Sequence, residues 1–176
     1  MRSHTVFGLL MILGCITSSR GQLLNGDANF PVLHEIQWTS GMKDVRFLCE
    51  SRHIVQSSTD SSMIINSPML GFAALTEIQF AGDLKTIKLI QVKFNEATTA
   101  LVDSITSHFI RIMGHQPIRT VKEKSLLIFT IRMEVASWKS RTGIVNLFAS
   151  KRGESLFSAS ILMGAQTVGQ TKANTK

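Results

Sequence analysis

One long amphipathic segment, residues 95–113, constrains the fold more than any other part of the chain. Its apolar residues recur at spacings of three and four: Ala97, Leu101, Ile105, Phe109 and Ile112. That spacing puts them on one face of an α-helix. Asn95 is the expected N-cap, Gly114 the left-handed C-cap, and Pro117 prevents continuation. The segment therefore predicts one main helix whose single apolar stripe must pack against another element.

Two segments before this helix alternate between apolar and polar residues, as half-buried strands do. Residues 75–80 and 86–94 form a predicted hairpin around a tight turn at Gly82-Asp83, with Gly82 supplying the positive φ. Within the second strand the apolar residues move from odd-numbered positions (Ile87 and Leu89) to even-numbered ones (Ile90, Val92 and Phe94), which predicts a bulge near Leu89. Arg46 to Cys49 is a further candidate strand.

The helix is followed by a polar connector, Arg119 to Lys124, and then by three predicted strands at 126–135, 143–150 and 155–162. Hairpin-length connections between strands imply antiparallel pairing. The sequence therefore predicts an α+β fold: an antiparallel sheet of about five or six strands with one main helix packed on one face.

The N-terminus has the layout of a secretory signal peptide: Arg2, an apolar run over residues 6–16, then small and polar residues. Cleavage after Gly21 would release the mature chain. Alternatively, residues 12–15 (Ile-Leu-Gly-Cys) look like the lipobox of bacterial lipoproteins, in which Cys15 would be lipidated. The apolar run is shorter than the roughly 20 residues that a membrane-spanning helix needs.

Three regions are therefore expected: a signal peptide at 1–21, a single α+β domain at 22–163, and a disordered polar tail at 164–176. The predicted location is the periplasm or the secreted space. Attachment to a membrane would come only through a lipid on Cys15.

The nearest approach to a catalytic group is Cys49 with His53, with His34 and Asp44 as further members. A thiolate nucleophile needs a base within hydrogen-bond reach and a third group to orient that base. Four residues of separation bring Cys49 and His53 together on a helix but not on a strand. The competing interpretation of Cys49 is a small buried apolar residue.

No metal site or cofactor is predicted. Cys49 and His53 supply at most two ligands, whereas a structural zinc needs four. His108 and His115 are two helical turns apart, about 10 Å, which is too far for one ion. No glycine-rich phosphate motif occurs.

Basic charge is concentrated in the last third of the chain. Residues 119–176 hold ten Lys or Arg and three Asp or Glu, whereas residues 22–118 hold seven and nine. Such an asymmetry can steer a protein toward an anionic partner. Nucleic acid is disfavoured because the predicted export separates the protein from it and because Trp138 is the only tryptophan among the basic residues. An anionic lipid, a polysaccharide or an acidic protein fits better. Alternatively, the charges only keep the surface soluble.

Residues 75–162 resemble small exported, periplasmic-type single-domain proteins of Gram-negative bacteria, most of them uncharacterised. The shared features are the hairpin at 75–94, the Gly-x-x-Pro stop at 114–117, a strand with Trp138, and Val-x-Leu at 145–147. The resemblance implies export and this fold, and it brings no catalytic residues.

The leading interpretation is an exported, non-enzymatic accessory or binding protein of the cell envelope or the secreted space. It would engage an anionic partner through residues 119–152. The predicted binding residues flank two short strands, whose hairpin should bring them near one another: Lys139, Arg141, Lys151 and Arg152. The alternative interpretation is a small exported hydrolase or thiol enzyme that uses Cys49 and His53.

Overall fold

The computed structural model describes residues 29–126, 128–140 and 143–165. The predicted signal peptide, Cys15, Arg141 and residues 166–176 lie outside this part of the chain. The helices are α1 (Met42–Ser51) and α2 (Thr99–Met113), with a short 3₁₀ helix at Leu33–Glu35. The strands are β1 (Val55–Ser58), β2 (Ser62–Asn66), β3 (Ala74–Phe80), β4 (Ile87–Phe94), β5 (Ile118–Leu126), β6 (Phe129–Lys139), β7 (Gly143–Arg152) and β8 (Ser155–Ala165).

All eight strands belong to one open antiparallel sheet with the order β1-β2-β3-β4-β8-β7-β6-β5. The element order repeats, because one helix followed by four strands occurs twice. The last strands of the two halves, β4 and β8, pair at the centre, with Val92 opposite Ile161. The predicted α+β class with an antiparallel sheet is confirmed. The predicted number of about five or six strands is wrong, because the described residues form eight; they also form a second α-helix, α1, beside the predicted main helix.

The sheet has one buried face and one open face. Side chains alternate along a strand and cross-strand partners share a face. The fully buried sheet residues, such as Ile78, Ile90 and Ile161, lie on the face that packs with both helices, which we call the helix-side face. The opposite face is the outer face. In the part of the chain that the structure describes, no helix covers it.

Helix α2 confirms the centre of the predicted apolar stripe, because Leu101, Ile105 and Phe109 are fully buried. Of the two outer members, Ala97 precedes the helix and Ile112 is half-buried. The ring of Phe109 lies 5.4 Å from that of Trp138 on β6, which fixes the helix over the second half of the sheet. Neither described helix is long and apolar enough to cross a membrane.

The ends of α2 confirm one predicted cap and correct the other. Gly114 has φ 72° and its N–H donates to the Ile110 carbonyl, as expected of a left-handed C-cap. The predicted N-cap, Asn95, is wrong. The hydroxyl of Thr98 accepts the hydrogen bond from the Leu101 N–H at 3.1 Å, so the helix begins at Thr99.

The β3–β4 hairpin is confirmed, and β4 carries the predicted bulge at Lys88, next to Leu89. The residue with positive φ in its turn is Leu84, at 56°, rather than the predicted Gly82. The turn is longer than the predicted pair and is closed by the Leu84 N–H, which donates to the Ala81 carbonyl at 2.8 Å.

The predicted strand at Arg46 to Cys49 is wrong, because these residues belong to α1. Met42, Val45 and Cys49 are buried at a spacing of three and four, which only a helix can place on one face. Arg46 and the exposed Phe47 lie on other faces, and this apolar residue off the buried stripe obscures the helical period.

The predicted connector from Arg119 to Lys124 is also wrong, because it forms most of β5. All nine residues of β5 are exposed, yet the strand pairs with β6 along its whole length. β7 extends through Arg152, so the turn to β8 is Gly153-Glu154. Gly164 and Ala165, assigned above to the tail, are the last residues of β8.

Candidate functional site

The candidate thiol pair does not form an open site. Cys49 is fully buried in the core, whereas His53 follows the end of α1, has φ 55° and is exposed. His34 donates from Nδ1 to the Phe30 carbonyl at 2.9 Å. Asp44 is exposed and lines a cavity that includes neither Cys49 nor His53.

Burial raises the pKa of the Cys49 thiol to about 11, although the nearby Arg52 opposes this change. The negative charge of Glu50 adds to the increase. A thiol with this pKa is protonated at neutral pH and is a poor nucleophile. These observations favour the interpretation of Cys49 as a packed core residue.

The histidines of the described residues do not converge on a metal site. His108 is buried in α2, and Arg111 donates to its Nδ1 at 3.0 Å. His115 is exposed, with Nε2 3.3 Å from the Lys139 carbonyl. Among the described residues, no group of three His, Cys, Asp or Glu is arranged to hold a metal ion.

Three of the four predicted cationic binding residues belong to the described part of the chain, and they are not brought together. Lys139 and Arg152 both belong to the outer face, but they lie at opposite ends of the β6–β7 ladder, roughly 26 Å apart at 3.3 Å per residue. Lys151 is on the helix-side face, where its Nζ lies 3.1 Å from Glu134 Oε1. Arg141 lies outside the described residues. For Lys139, Lys151 and Arg152 the expectation that the hairpin gathers them is wrong, because the length of β7 separates Lys139 from the other two.

The outer face of the second half, β5 to β8, is cationic instead. The strand register places four cationic side chains on this outer face: Lys122, Lys124, Lys139 and Arg152. Along these four described strands, the outer face has no Asp or Glu. We call this surface the cationic face.

The helix-side face of the same strands mixes both signs of charge. Glu134 lies 3.1 Å from Lys151 and 3.5 Å from Arg132, and Glu123 lies directly opposite Arg132 on β5. Charge segregation is therefore a property of the outer face and not of these strands in general.

Apolar side chains occupy the middle of the cationic face. They are half-buried and follow β6 with one neighbour on β7: Phe129, Ile131, Met133, Val135 and Phe148. Lys122 lies beside Met133, and Lys124 beside Ile131. The cations therefore border an apolar strip, and Trp138, which is buried on the other face, takes no part.

The first half of the sheet and its cavities lack this asymmetry. Among the paired residues of β3 and β4, the outer face carries one acid and one base, Glu77 and Lys93. The cavity near the start of α1, about 820 Å³, is lined by three aspartates and three basic residues: Asp44, Asp60, Asp83, Lys43, Arg46 and Lys85. The cationic face is therefore the surface with the clearest chemical preference.

No family model matches this chain, and neither a curated protein nor a solved structure is detectably similar to it. The resemblance to small exported proteins of Gram-negative bacteria thus stays a prediction.

Proposed function

We propose that the protein is an exported, non-enzymatic binding protein whose cationic face engages an acidic partner protein in the envelope or the secreted space. The observation that supports this most strongly is the segregation of charge. Four cations and no carboxylate border a half-buried apolar strip that no described helix covers. Leaving such a strip in water is unfavourable, and a partner that covers it gains the hydrophobic free energy.

An acidic protein fits this surface better than a polysaccharide does. A polysaccharide can neutralise Lys122 and Lys124 but has no apolar side chains for Ile131 or Met133. Protein interfaces combine an apolar centre with a polar rim, which is the arrangement on this face. Complementary charge would accelerate association more than it would strengthen the bound state.

The test compares two triple variants of the chain, expressed with its own leader and recovered after export. Lys122→Ala, Lys124→Ala and Lys139→Ala remove three charges from the cationic face. Lys43→Ala, Lys85→Ala and Arg119→Ala remove three charges from exposed positions on the helix side. Each protein is immobilised and exposed to the envelope fraction of the producing cell, and bound proteins are quantified by mass spectrometry.

We expect the first variant to lose its acidic partners and the control to retain them. Raising salt from about 0.05 M to 0.5 M should reproduce the loss, because exposed charges are screened within roughly 8 Å at 0.15 M. Equal recovery by both variants would contradict the proposal and indicate that these lysines only keep the surface soluble.

A further inference from the structure

An open pocket lies at the corner of the cationic face, where the β5–β6 and β7–β8 turns meet. It has a volume of about 580 Å³ and is lined by five residues: Phe129, Ile131, Arg152, Ser155 and Phe157. We call it the corner pocket. Its lining is mainly apolar, with one guanidinium and one hydroxyl group.

Arg152 is held in place by an aromatic ring rather than by a carboxylate. Its guanidinium carbon lies 4.2 Å from the centroid of the Phe129 ring. Arg152 makes no ion pair with any described carboxylate. Stacking on the ring orients the planar group, and its N–H donors remain free for a carboxylate, which arginine binds in bidentate fashion.

A bulge in β8 brings the second aromatic side chain to this pocket. Ser150 pairs with Ser158 but Lys151 pairs with Leu156, so Phe157 is the extra residue. Bulges redirect side chains, and here Phe157 lines the corner pocket while staying 54% exposed. Phe157 lines the pocket together with Phe129 and Ile131, and contiguous exposed apolar surface is typical of an interaction site.

A second cation stands near Arg152. Lys124, Ile131 and Arg152 form one row across β5, β6 and β7, which puts the two cations about 10 Å apart with an apolar residue between them. The row therefore alternates cation, apolar side chain and cation.

We infer that the corner pocket binds an acidic peptide segment of the partner in which Asp or Glu adjoins a large apolar residue. This inference rests on the proposed function and names the part of the partner that is recognised. The carboxylate pairs with Arg152, and the apolar side chain enters between Phe129 and Phe157. A second carboxylate of the segment pairs with Lys124.

A peptide fits this site better than a membrane surface does. Phe129 and Ile131 line the open pocket and are half-buried, so a single inserted side chain can contact them more closely than a flat bilayer can. A membrane would contact protruding residues such as Ile128, which is 85% exposed and is not part of the lining.

The test uses fluorescent peptides in which Asp or Glu alternates with Leu or Phe, titrated with the exported chain and followed by anisotropy. One control peptide replaces the acids by Asn and Gln, and another replaces the apolar residues by Ser. Vesicles with and without anionic lipid provide the membrane arm. The protein variants are Arg152→Gln and Phe157→Ser, with Arg119→Gln as the helix-side control.

We expect Arg152→Gln to weaken binding of the acidic apolar peptide about 10- to 100-fold, the range for loss of a charge-assisted hydrogen bond. Phe157→Ser should weaken it at least about 5-fold, and Arg119→Gln should leave it unchanged. Both control peptides should bind weakly to the wild-type chain. All variants should keep the wild-type circular dichroism spectrum, because the substituted residues are exposed.

Equal affinity of Arg152→Gln and the wild-type chain, or binding of anionic vesicles but not of the peptide, would overturn the inference. The proposed function is judged separately by the lysine variants in the envelope capture. If the lysine variant loses its partners while Arg152→Gln keeps peptide affinity, the cationic face stands and the corner pocket does not. If neither variant has an effect, both fail.

Discussion

Phe109→Ala should be among the most damaging single substitutions in this protein. Phe109 is fully buried on α2, and its ring lies 5.4 Å from Trp138, 5.9 Å from His108 and 6.0 Å from Phe30. It therefore joins the helix both to β6 and to the segment before α1. Removing it leaves a cavity that three surrounding rings cannot close without moving.

The expected loss in the free energy of unfolding can be estimated from this packing. A buried Phe→Ala change costs about 3–5 kcal/mol. Edge and tilted ring contacts add roughly 0.5–1.5 kcal/mol each beyond the buried area, which favours the upper part of that range. We therefore expect about 4–5 kcal/mol for Phe109→Ala and about 2–4 kcal/mol for Leu101→Ala. A domain of this size has a total stability of roughly 5–15 kcal/mol.

Urea denaturation followed by far-ultraviolet circular dichroism measures these losses. With a slope of about 2 kcal/mol per molar urea, Phe109→Ala should lower the midpoint by roughly 2 M. Asp103→Ala is the matched control, because Asp103 is an exposed residue of the same helix and should cost under about 0.5 kcal/mol. Similar losses at Asp103, Leu101 and Phe109 would show that the buried stripe is assigned wrongly.

Three further outcomes are expected. Gly143→Ala should lower the free energy of unfolding by about 1–3 kcal/mol, because a Cβ there would lie 2.7 Å from the Gly164 carbonyl oxygen. Gly82→Ala is the control: a Cβ at Gly82 would meet nothing within 4 Å, so the change should stay within about 0.5 kcal/mol in the same urea assay. Cys49 should react with Ellman's reagent at pH 8 only after denaturation. Burial raises the pKa of the Cys49 thiol to about 11 in the folded protein, against about 9 in the unfolded chain. The stability that the protonated thiol contributes is therefore complete below pH 9 and is lost as the pH rises through 11. Urea denaturation at several pH values between 8 and 12 measures this loss of stability. Rapid reaction of the native thiol would contradict the assigned burial. Intact-mass analysis of the exported protein should show either the loss of residues 1–21 or a chain that begins at a lipidated Cys15. Finding a chain that still starts at Met1 would contradict export.

The elements that sequence analysis predicted correctly are those with one buried face and a sustained period. Leu101, Ile105 and Phe109 repeat at helical spacing over about two turns, and the alternation of Ile78 and Phe80 is equally clear. In both elements the apolar face can be buried only against the core. The spacing of the apolar residues is therefore enough to predict whether the segment is a helix or a strand.

The elements that sequence analysis missed lack such a pattern. In β5 both faces are exposed, so nothing selects apolar residues at alternate positions. In β1 three of four residues are exposed and polar, and pairing with β2 rather than burial orders the strand. In α1 the spacing of Met42, Val45 and Cys49 is present in the sequence. The exposed Phe47 made the run from Arg46 to Cys49 resemble a strand.

The binding surface was predictable in its charge but not in its geometry. Lys151 and Arg152 are neighbours in sequence, and the strands predicted at 143–150 and 155–162 put both in the turn between them, where both could meet one partner. In the structure they are consecutive residues of β7, so they project to opposite faces. Lys122 and Lys124 share a face only because their segment is a strand. Which cations share a face depends on the strand register, and the register is set by pairing between residues far apart in the sequence.

The central claim, that the cationic face contacts the partner, can be tested most directly by lysine acylation of the captured complex. Modification is measured residue by residue by mass spectrometry, with and without the bound partner. Lys122, Lys124 and Lys139 should be protected, while Lys43 and Lys85 near α1 should react as in the free chain. Protection of Lys43 and Lys85 with full reactivity of the three outer lysines would contradict the account.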